Sequence, residues 1–156
     1  YNSLGGNTTG ASNTGVGRSA LLSNTTGTSN VAVGALALDA NTTADNNTAV
    51  GYNAGSEITT GSENTILGSA ALDALTTGAN NTAIGYRALT LATTSDNNTD
   101  AGKDALLLNT TASNNTAVGN QALEANTTGD LNTGLGANAL QQNTTGASNT
   151  AVGLLL

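Results

Sequence analysis

Residues 115–131 read N-T-A-V-G-N-Q-A-L-E-A-N-T-T-G-D-L, and this 17-residue unit recurs along the chain of 156 residues. We number its positions from 1 (Asn115) to 17 (Leu131). Glycine fills position 5 in nine successive units, at Gly17, Gly34, Gly51, Gly68, Gly85, Gly102, Gly119, Gly136 and Gly153. Asparagine fills position 1, at Asn13, Asn30, Asn47, Asn64, Asn81, Asn98, Asn115, Asn132 and Asn149. No insertion or deletion interrupts the series.

A repeat of constant length indicates stacked coils, because one extra residue would displace every column of an array whose coils contact only their neighbours. Seventeen residues are too few for a helix pair but suit one β-coil with short strands and turns. Asn, Thr and Gly recur every few residues and disfavour helix propagation. The sequence therefore predicts an all-β fold, a β-solenoid of about nine coils that spans residues 1–156 as a single repeat array.

Strand alternation predicts which side chains face the core. The residue before the glycine, Val50 for example, is Val, Ile or Leu in eight of nine units, so we expect it to face inward together with Thr48. Ala49 between them is then expected to face outward or toward a neighbouring chain. Ala and Leu at positions 8 and 9 are expected to fill the rest of a thin core. We expect the glycine column to permit a positive-φ turn or close coil approach, and the asparagine column to stack its amides along the axis.

Composition excludes several classes of function. The formal charge is −7, and the only cations are Arg18, Arg87 and Lys103, too few to form a phosphate-binding surface, so nucleic acid is not expected as a partner. No apolar run approaches the roughly 18 residues of a membrane helix. Without His or Cys, the groups left for catalysis are carboxylates, Lys103 and the tyrosines Tyr1, Tyr52 and Tyr86, so we expect neither an enzyme nor a cofactor.

Residues 96–104 depart from the unit by placing three acids, Asp96, Asp100 and Asp104, in one coil. Their spacing is like that of oxygen-rich calcium loops, but the bidentate glutamate and the other ligands are missing. In a trimer, three copies of Asp100 could surround an ion on the axis. The alternative is a drifted unit in which Asp100 meets Lys103 or water. We favour this alternative and predict no metal site; the other acids, such as Asp39, Asp73 and Glu124, are expected to form a solvated face.

The two ends of the chain fall in the middle of a unit. Tyr1-Asn2-Ser3-Leu4 aligns with the stretches that begin at Tyr52 and Tyr86, and the chain ends with Leu154-Leu155-Leu156 just after a position-5 glycine. Because an open solenoid end is an unpaired edge, we expect either a window of a longer array or a subunit that stacks end to end. Regions for secretion, anchoring or tip binding would then lie outside it.

The motif Asn47-Thr48-Ala49-Val50-Gly51, with Ala54 three residues later, resembles the head repeats of trimeric autotransporter adhesins. The full unit is also similar to repeats in predicted tail-fibre-like and surface proteins. The resemblance implies a homotrimer of left-handed β-rolls and an extracellular, cell-surface or virion location. It implies a structural fibre, adhesin shaft or filament segment that spaces or presents a binding tip. The implied partner is the chain itself, with a host receptor or glycan bound by regions outside it.

The threonine pairs leave a second function open. A left-handed β-roll ice-binding protein of grasses also resembles this chain, through short repeats rich in Asn, Val and Gly. In that alternative a flat threonine array binds ice, whereas the simpler interpretation is β-propensity and hydroxyl bonding at a corner. The candidate ice-facing residues are Thr25, Thr42, Thr59, Thr76, Thr93, Thr110, Thr127 and Thr144.

Overall fold

The computed structural model describes residues 2–154, so Tyr1, Leu155 and Leu156 lie outside the described residues. Nine three-residue strands form one parallel sheet in sequence order. They are β1 (Thr14–Val16), β2 (Val31–Val33), β3 (Thr48–Val50), β4 (Thr65–Leu67), β5 (Thr82–Ile84), β6 (Thr99–Ala101), β7 (Thr116–Val118), β8 (Thr133–Leu135) and β9 (Thr150–Val152). The predicted all-β solenoid is confirmed. Residues 2–154 contain no helix, and hence none that could cross a membrane.

The register of the sheet follows directly from the repeat. Each strand residue pairs with the residue 17 positions later, as Thr48 pairs with Thr65. Hydrogen bonds between coils continue outside the strands, for example from Leu38 N to Ala54 O at 3.1 Å and from Thr25 N to Thr42 O at 2.9 Å. Because these bonds run along the axis around the whole coil, a one-residue insertion would break them all at that coil.

The predicted direction of the strand side chains is wrong. The middle residue of the strand faces the core: Ala49 and Ala117 are fully buried, whereas Val118 is 40 % exposed and Leu67 is 49 % exposed. The reason is the thickness of the core. A Cβ at Gly134 in the middle position would lie 3.1 Å from the carbonyl oxygen of Ala139, which leaves room for little more than a methyl group. The larger aliphatic side chain therefore points away from the core.

The alanine and leucine columns fill the core as predicted. Position 8 is buried from Ala20 to Ala139, and the leucines of position 9, such as Leu38 and Leu106, have no exposed surface. The coil around Gly55 differs, because glycine replaces leucine at position 9. A Cβ on Gly55 would meet the Cδ1 atoms of Ile66 and Ile58 at 2.7 Å and 3.0 Å. Two isoleucines thus occupy the volume that a leucine fills in the other coils.

The glycine column performs the role expected of it. Gly68 has φ +149°, and a Cβ there would overlap the carbonyl oxygen of Gly85 in the next coil. Both the dihedral angle and the approach of the next coil exclude a side chain.

The asparagine column forms the predicted ladder. Asn30 N donates to Asn13 Oδ1 at 2.9 Å, and Asn47 N donates to Asn30 Oδ1 at the same distance. In seven of the nine asparagines the amide nitrogen also donates to the carbonyl of position 15 in the same unit, as Asn30 Nδ2 does to Ala44 O at 2.7 Å. The side chains therefore satisfy a backbone carbonyl of their own unit and a backbone N–H of the following unit.

A second amide column, which we did not single out from the sequence, lies at position 12. Asn24 Nδ2 donates to Asn7 Oδ1 at 2.8 Å, and Asn41 Nδ2 donates to Asn24 Oδ1 at 2.7 Å. The column is interrupted by three apolar residues, Ile58, Leu75 and Ala92, whose side chains cannot donate a hydrogen bond. Asn41 Oδ1 accordingly has no partner among residues 2–154.

Candidate functional site

The outward side of the sheet is a continuous face of threonine and aliphatic side chains, which we call the strand face. It consists of positions 2 and 4 of each unit: Thr14, Val16, Val31, Val33, Thr48, Val50, Thr65, Leu67, Thr82, Ile84, Thr99, Ala101, Thr116, Val118, Thr133, Leu135, Thr150 and Val152. Its aliphatic column is open to solvent, and even away from the chain ends Leu67 is 49 % exposed. An ordered apolar stripe of this kind is unusual on an isolated soluble chain.

The strand face carries no charge. Asp100 is the one charged residue within the nine strands, and its side chain points into the core. At about 4.8 Å per coil the face is about 43 Å long, and its two columns are about 7 Å apart. The other charged side chains of residues 2–154 lie outside the nine strands.

The threonine column proposed to face ice uses its hydroxyl groups internally. Thr25 Oγ1 donates to Thr42 O at 3.0 Å, and Thr76 Oγ1 donates to Thr93 O at 3.0 Å. The same bond is made by the other members up to Thr127, at 3.0–3.2 Å. These donors tie one coil to the next, as the simpler interpretation expected.

The second threonine of each pair points to solvent instead. This column is exposed in every coil: Thr9, Thr26, Thr43, Thr60, Thr77, Thr94, Thr111, Thr128 and Thr145. The sequence gives no means of separating the two members of a Thr-Thr pair, since both are invariant within the repeat. Only the path of the chain at this corner distinguishes them.

The three acids of residues 96–104 do not converge. Asp96 accepts a hydrogen bond from Ala79 N at 2.7 Å, and Asp104 is paired with Lys103 Nζ at 3.1 Å and Arg87 at 3.7 Å. Asp100 points into the core, so its copies could not surround an ion outside the chain. Among residues 2–154 no three acidic, histidine or cysteine side chains are grouped as a metal site would require.

Asp100 is an acidic side chain buried in the apolar core. It occupies the middle position of β6 between Ala83 and Ala117, and it has no exposed surface. The expectation that Asp100 contacts Lys103 is wrong, because Lys103 pairs with Asp104. Neither carboxyl oxygen has a hydrogen-bond partner within residues 2–154. Burial raises the pKa of Asp100 well above its ordinary value. The backbone N–H of Leu89 lies near the carboxyl group and opposes this only in part, because it donates its hydrogen bond to Ala105 O at 3.1 Å.

The expected solvated acidic face is partly buried. The pKa of Asp39 is raised, mainly by desolvation. A hydrogen bond with its own backbone lowers this pKa, and the negative charge of Glu57 adds a smaller increase. Desolvation likewise raises the pKa of Asp73, against the hydrogen bond from Asn53. Glu124 accepts hydrogen bonds from two glutamine side chains, including Gln141 Nε2 at 2.7 Å. These acids lie half-buried against the coil instead of extending into water.

An apolar cavity of about 150 Å³ lies beside the last strand, lined by Ala139, Leu140 and residues 151–154. It lies at the end of the thin core and is not a separate binding site. Comparison of the chain with protein-family models, curated proteins and solved structures finds no match.

Proposed function

We propose that this chain is a rigid rod segment of a fibre at a cell or virion surface, and that it spaces or presents a binding region. The observation that supports this proposal best is the strand face, whose uncharged aliphatic column is suited to burial against another chain. The axial hydrogen bonds support the rod itself, since they join each coil to the next on every side. In this proposal the chain acts by packing of its coils and chains and catalyses no reaction.

In this proposal the chains associate side by side through their strand faces, as a homotrimer of left-handed solenoids like the adhesin heads. A face about 43 Å long and 10 Å wide has an area of about 430 Å². A standard protein interface buries about 800 Å² per partner. We therefore expect the nine coils to associate at high protein concentration and to dissociate on dilution.

Light scattering should give an oligomer, with three times the 15.1 kDa chain mass for a trimer. Replacing Leu67 and Val118 with glutamate should shift it to the monomer, because the carboxylates would be desolvated in the interface. The control variant replaces Thr77 and Thr128, exposed on another side, with glutamate and should remain oligomeric. A wild-type monomer at all concentrations would contradict the proposal, as would equal effects of the two variants.

Ice binding is the second candidate, and the same face favours it. A flat, regular array of threonine and valine without charge is what an ice-binding surface needs, and the strand face meets this better than the internally bonded Thr25 column. If this candidate is right, the chain is a monomer that shows thermal hysteresis. Thr65→Lys combined with Thr82→Lys should abolish the hysteresis, whereas Thr60→Lys with Thr77→Lys should preserve it. Hysteresis that survives the strand-face change would reject this assignment.

A further inference from the structure

Positions 6 and 7 form an edge next to the strand face, and it differs in composition from the rest of the solenoid. The columns on either side are uniform, with glycine at position 5 and alanine at position 8. Position 6 alone contains tyrosine, arginine, lysine, serine, asparagine, alanine and leucine. All three cations and all three tyrosines of the sequence fall on these two positions. We call this pair of columns the basic edge.

The charge of the basic edge is opposite to that of the chain. Its charged members are Arg18, Arg87, Lys103 and the single acid Asp104, which together give +2. The remaining nine acids give −9, so the total is −7. Asp104 is also largely buried and its carboxylate faces two of the cations. Asp73, at position 10, also lies near Arg87 and accepts a hydrogen bond from Asn53 Nδ2 at 3.5 Å. The groups that a negatively charged partner would approach are therefore Lys103 and the exposed part of Arg87.

Aromatic rings and cations lie together in the middle of the basic edge. Tyr52 is 58 % exposed and Tyr86 is 51 % exposed, and they are two coils, about 10 Å, apart with Ser69 between them. The guanidinium of Arg87 lies 5.9 Å from the ring centroid of Tyr86. The side chain of Lys103, in the next coil, is 62 % exposed. Exposed rings can stack on flat ligand surfaces while the neighbouring cations bind acidic groups.

The backbone beneath these side chains is fixed. From Leu36 to Asn138, each position-7 N–H donates to the position-6 carbonyl of the preceding coil, as Ala70 N does to Tyr52 O at 2.9 Å and Asp104 N does to Tyr86 O at 3.0 Å. The variable side chains are thus carried on a rigid, periodic support, an arrangement typical of recognition surfaces. The step of one coil is also comparable with the advance per ring of an extended polysaccharide.

We propose that the basic edge from Tyr52 to Lys103 binds a polysaccharide that carries carboxylate groups. The sugar rings stack on Tyr52 and Tyr86 along the axis, and Arg87 and Lys103 bind the carboxylates. Asp104 holds both cations in place and offsets one of their two charges, so the three side chains keep a net charge of +1. This site lies on the chain itself and does not require lateral association, because it is separate from the strand face.

Titration calorimetry with oligomers of polygalacturonate, alginate and hyaluronan tests the site. The wild-type chain should bind at least one of them, with an affinity that falls as salt is added. The methyl ester of the same polygalacturonate oligomer keeps the rings without the charge, and it should bind at least tenfold more weakly. Tyr52→Ser with Tyr86→Ser should weaken binding about tenfold at unchanged charge.

Variants of equal net charge separate the site from a general charge effect. Replacing Arg18, Arg87 and Lys103 with glutamine lowers the formal charge from −7 to −10 and should abolish binding. Replacing Thr26, Thr77 and Thr111 with glutamate gives the same −10 but leaves the basic edge intact. This variant should retain most of the affinity, and circular dichroism should show that both variants are folded.

Four results would overturn the proposal: no binding to any of the three polymers, equal binding of acid and ester, equal loss in the two variants of −10 charge, or tighter binding of oligothymidylate than of any polysaccharide. The last result would assign the edge to single-stranded nucleic acid. Light scattering on the same samples reports association through the strand face independently of polysaccharide binding. The Leu67→Glu, Val118→Glu variant should still bind the polysaccharide, so a failure of the binding proposal can be told apart from a failure of the fibre proposal.

Discussion

Replacing Asp100 with alanine should stabilise the chain at every pH, most strongly at neutral pH. Ala83 and Ala117 show that alanine fits this column in the neighbouring coils. Even in its protonated form, Asp100 buries a polar group without a partner, which costs about 1–3 kcal/mol. Removing it should raise the melting temperature at pH 3 by a corresponding amount.

The gain should grow with pH because the pKa of Asp100 is raised in the folded chain. In the unfolded chain the carboxyl group of Asp100 loses its proton near the ordinary aspartate pKa of 3.8, whereas in the folded chain it keeps the proton to a much higher pH. Between these two values unfolding releases a proton, so wild-type stability falls as pH rises. Below pH 3.8 and above the folded pKa this contribution is constant. The raised pKa values of Asp39 and Asp73 act in the same direction, and their smaller effect remains in the variant.

Melting curves of wild type, Asp100→Ala and Asp100→Asn between pH 3 and pH 8 measure this. Asp100→Asn removes the titrating group, so the stability of this variant should lose most of its pH dependence. Because it keeps a buried polar group, it should remain less stable than Asp100→Ala. If the three proteins show the same slope with pH, or if alanine lowers the melting temperature, Asp100 is not buried in the core as described.

Gly55→Leu and Ile66→Ala should each destabilise the chain when made alone. The double variant should largely regain the stability of the wild type. Gly55 has φ +60°, so Gly55→Leu strains the backbone as well as placing a side chain against the Cδ1 atom of Ile66. The overpacking alone costs about 1–3 kcal/mol. Ile66→Ala leaves the volume beside Gly55 empty, at a cost of about 2–5 kcal/mol. The double variant would have the same combination as the next coil, where Leu72 packs in the core with Ala83. The two coils also match at position 12, where Leu75 and Ile58 replace the usual asparagine.

Chemical denaturation of the four proteins gives the coupling between positions 55 and 66. We expect a coupling energy of about 3 kcal/mol, at the upper end for residues in contact. The control combines Ile66→Ala with Leu123→Ala, more than three coils away, and these two changes should be additive within about 0.5 kcal/mol. Additive effects at positions 55 and 66 would mean that the two side chains do not share one space.

The Gly55 coil also shows why this part of the core could not be read from the sequence. Gly55 and Ile66 are 11 residues apart and look like two unrelated departures from the repeat. Their connection is visible only when the coil closes and brings position 9 against the middle of the next strand. The same closure makes Asp100 a buried group, although along the sequence it lies among polar residues that suggest a solvent-exposed loop.

By itself, the sequence determined the class of fold, the register and the roles of the glycine and asparagine columns. These follow from the constant 17-residue period, because stacked coils of equal length can pair in only one register. Tertiary structure alone decided which strand side chains face outward and which threonine of each pair meets solvent. It also placed leucines such as Leu38 and Leu106 at positive φ (50° and 46°), which local preferences disfavour. The physical reason is the thin core, which has space for one leucine and small side chains in each coil, and so leaves the strand valines on the surface.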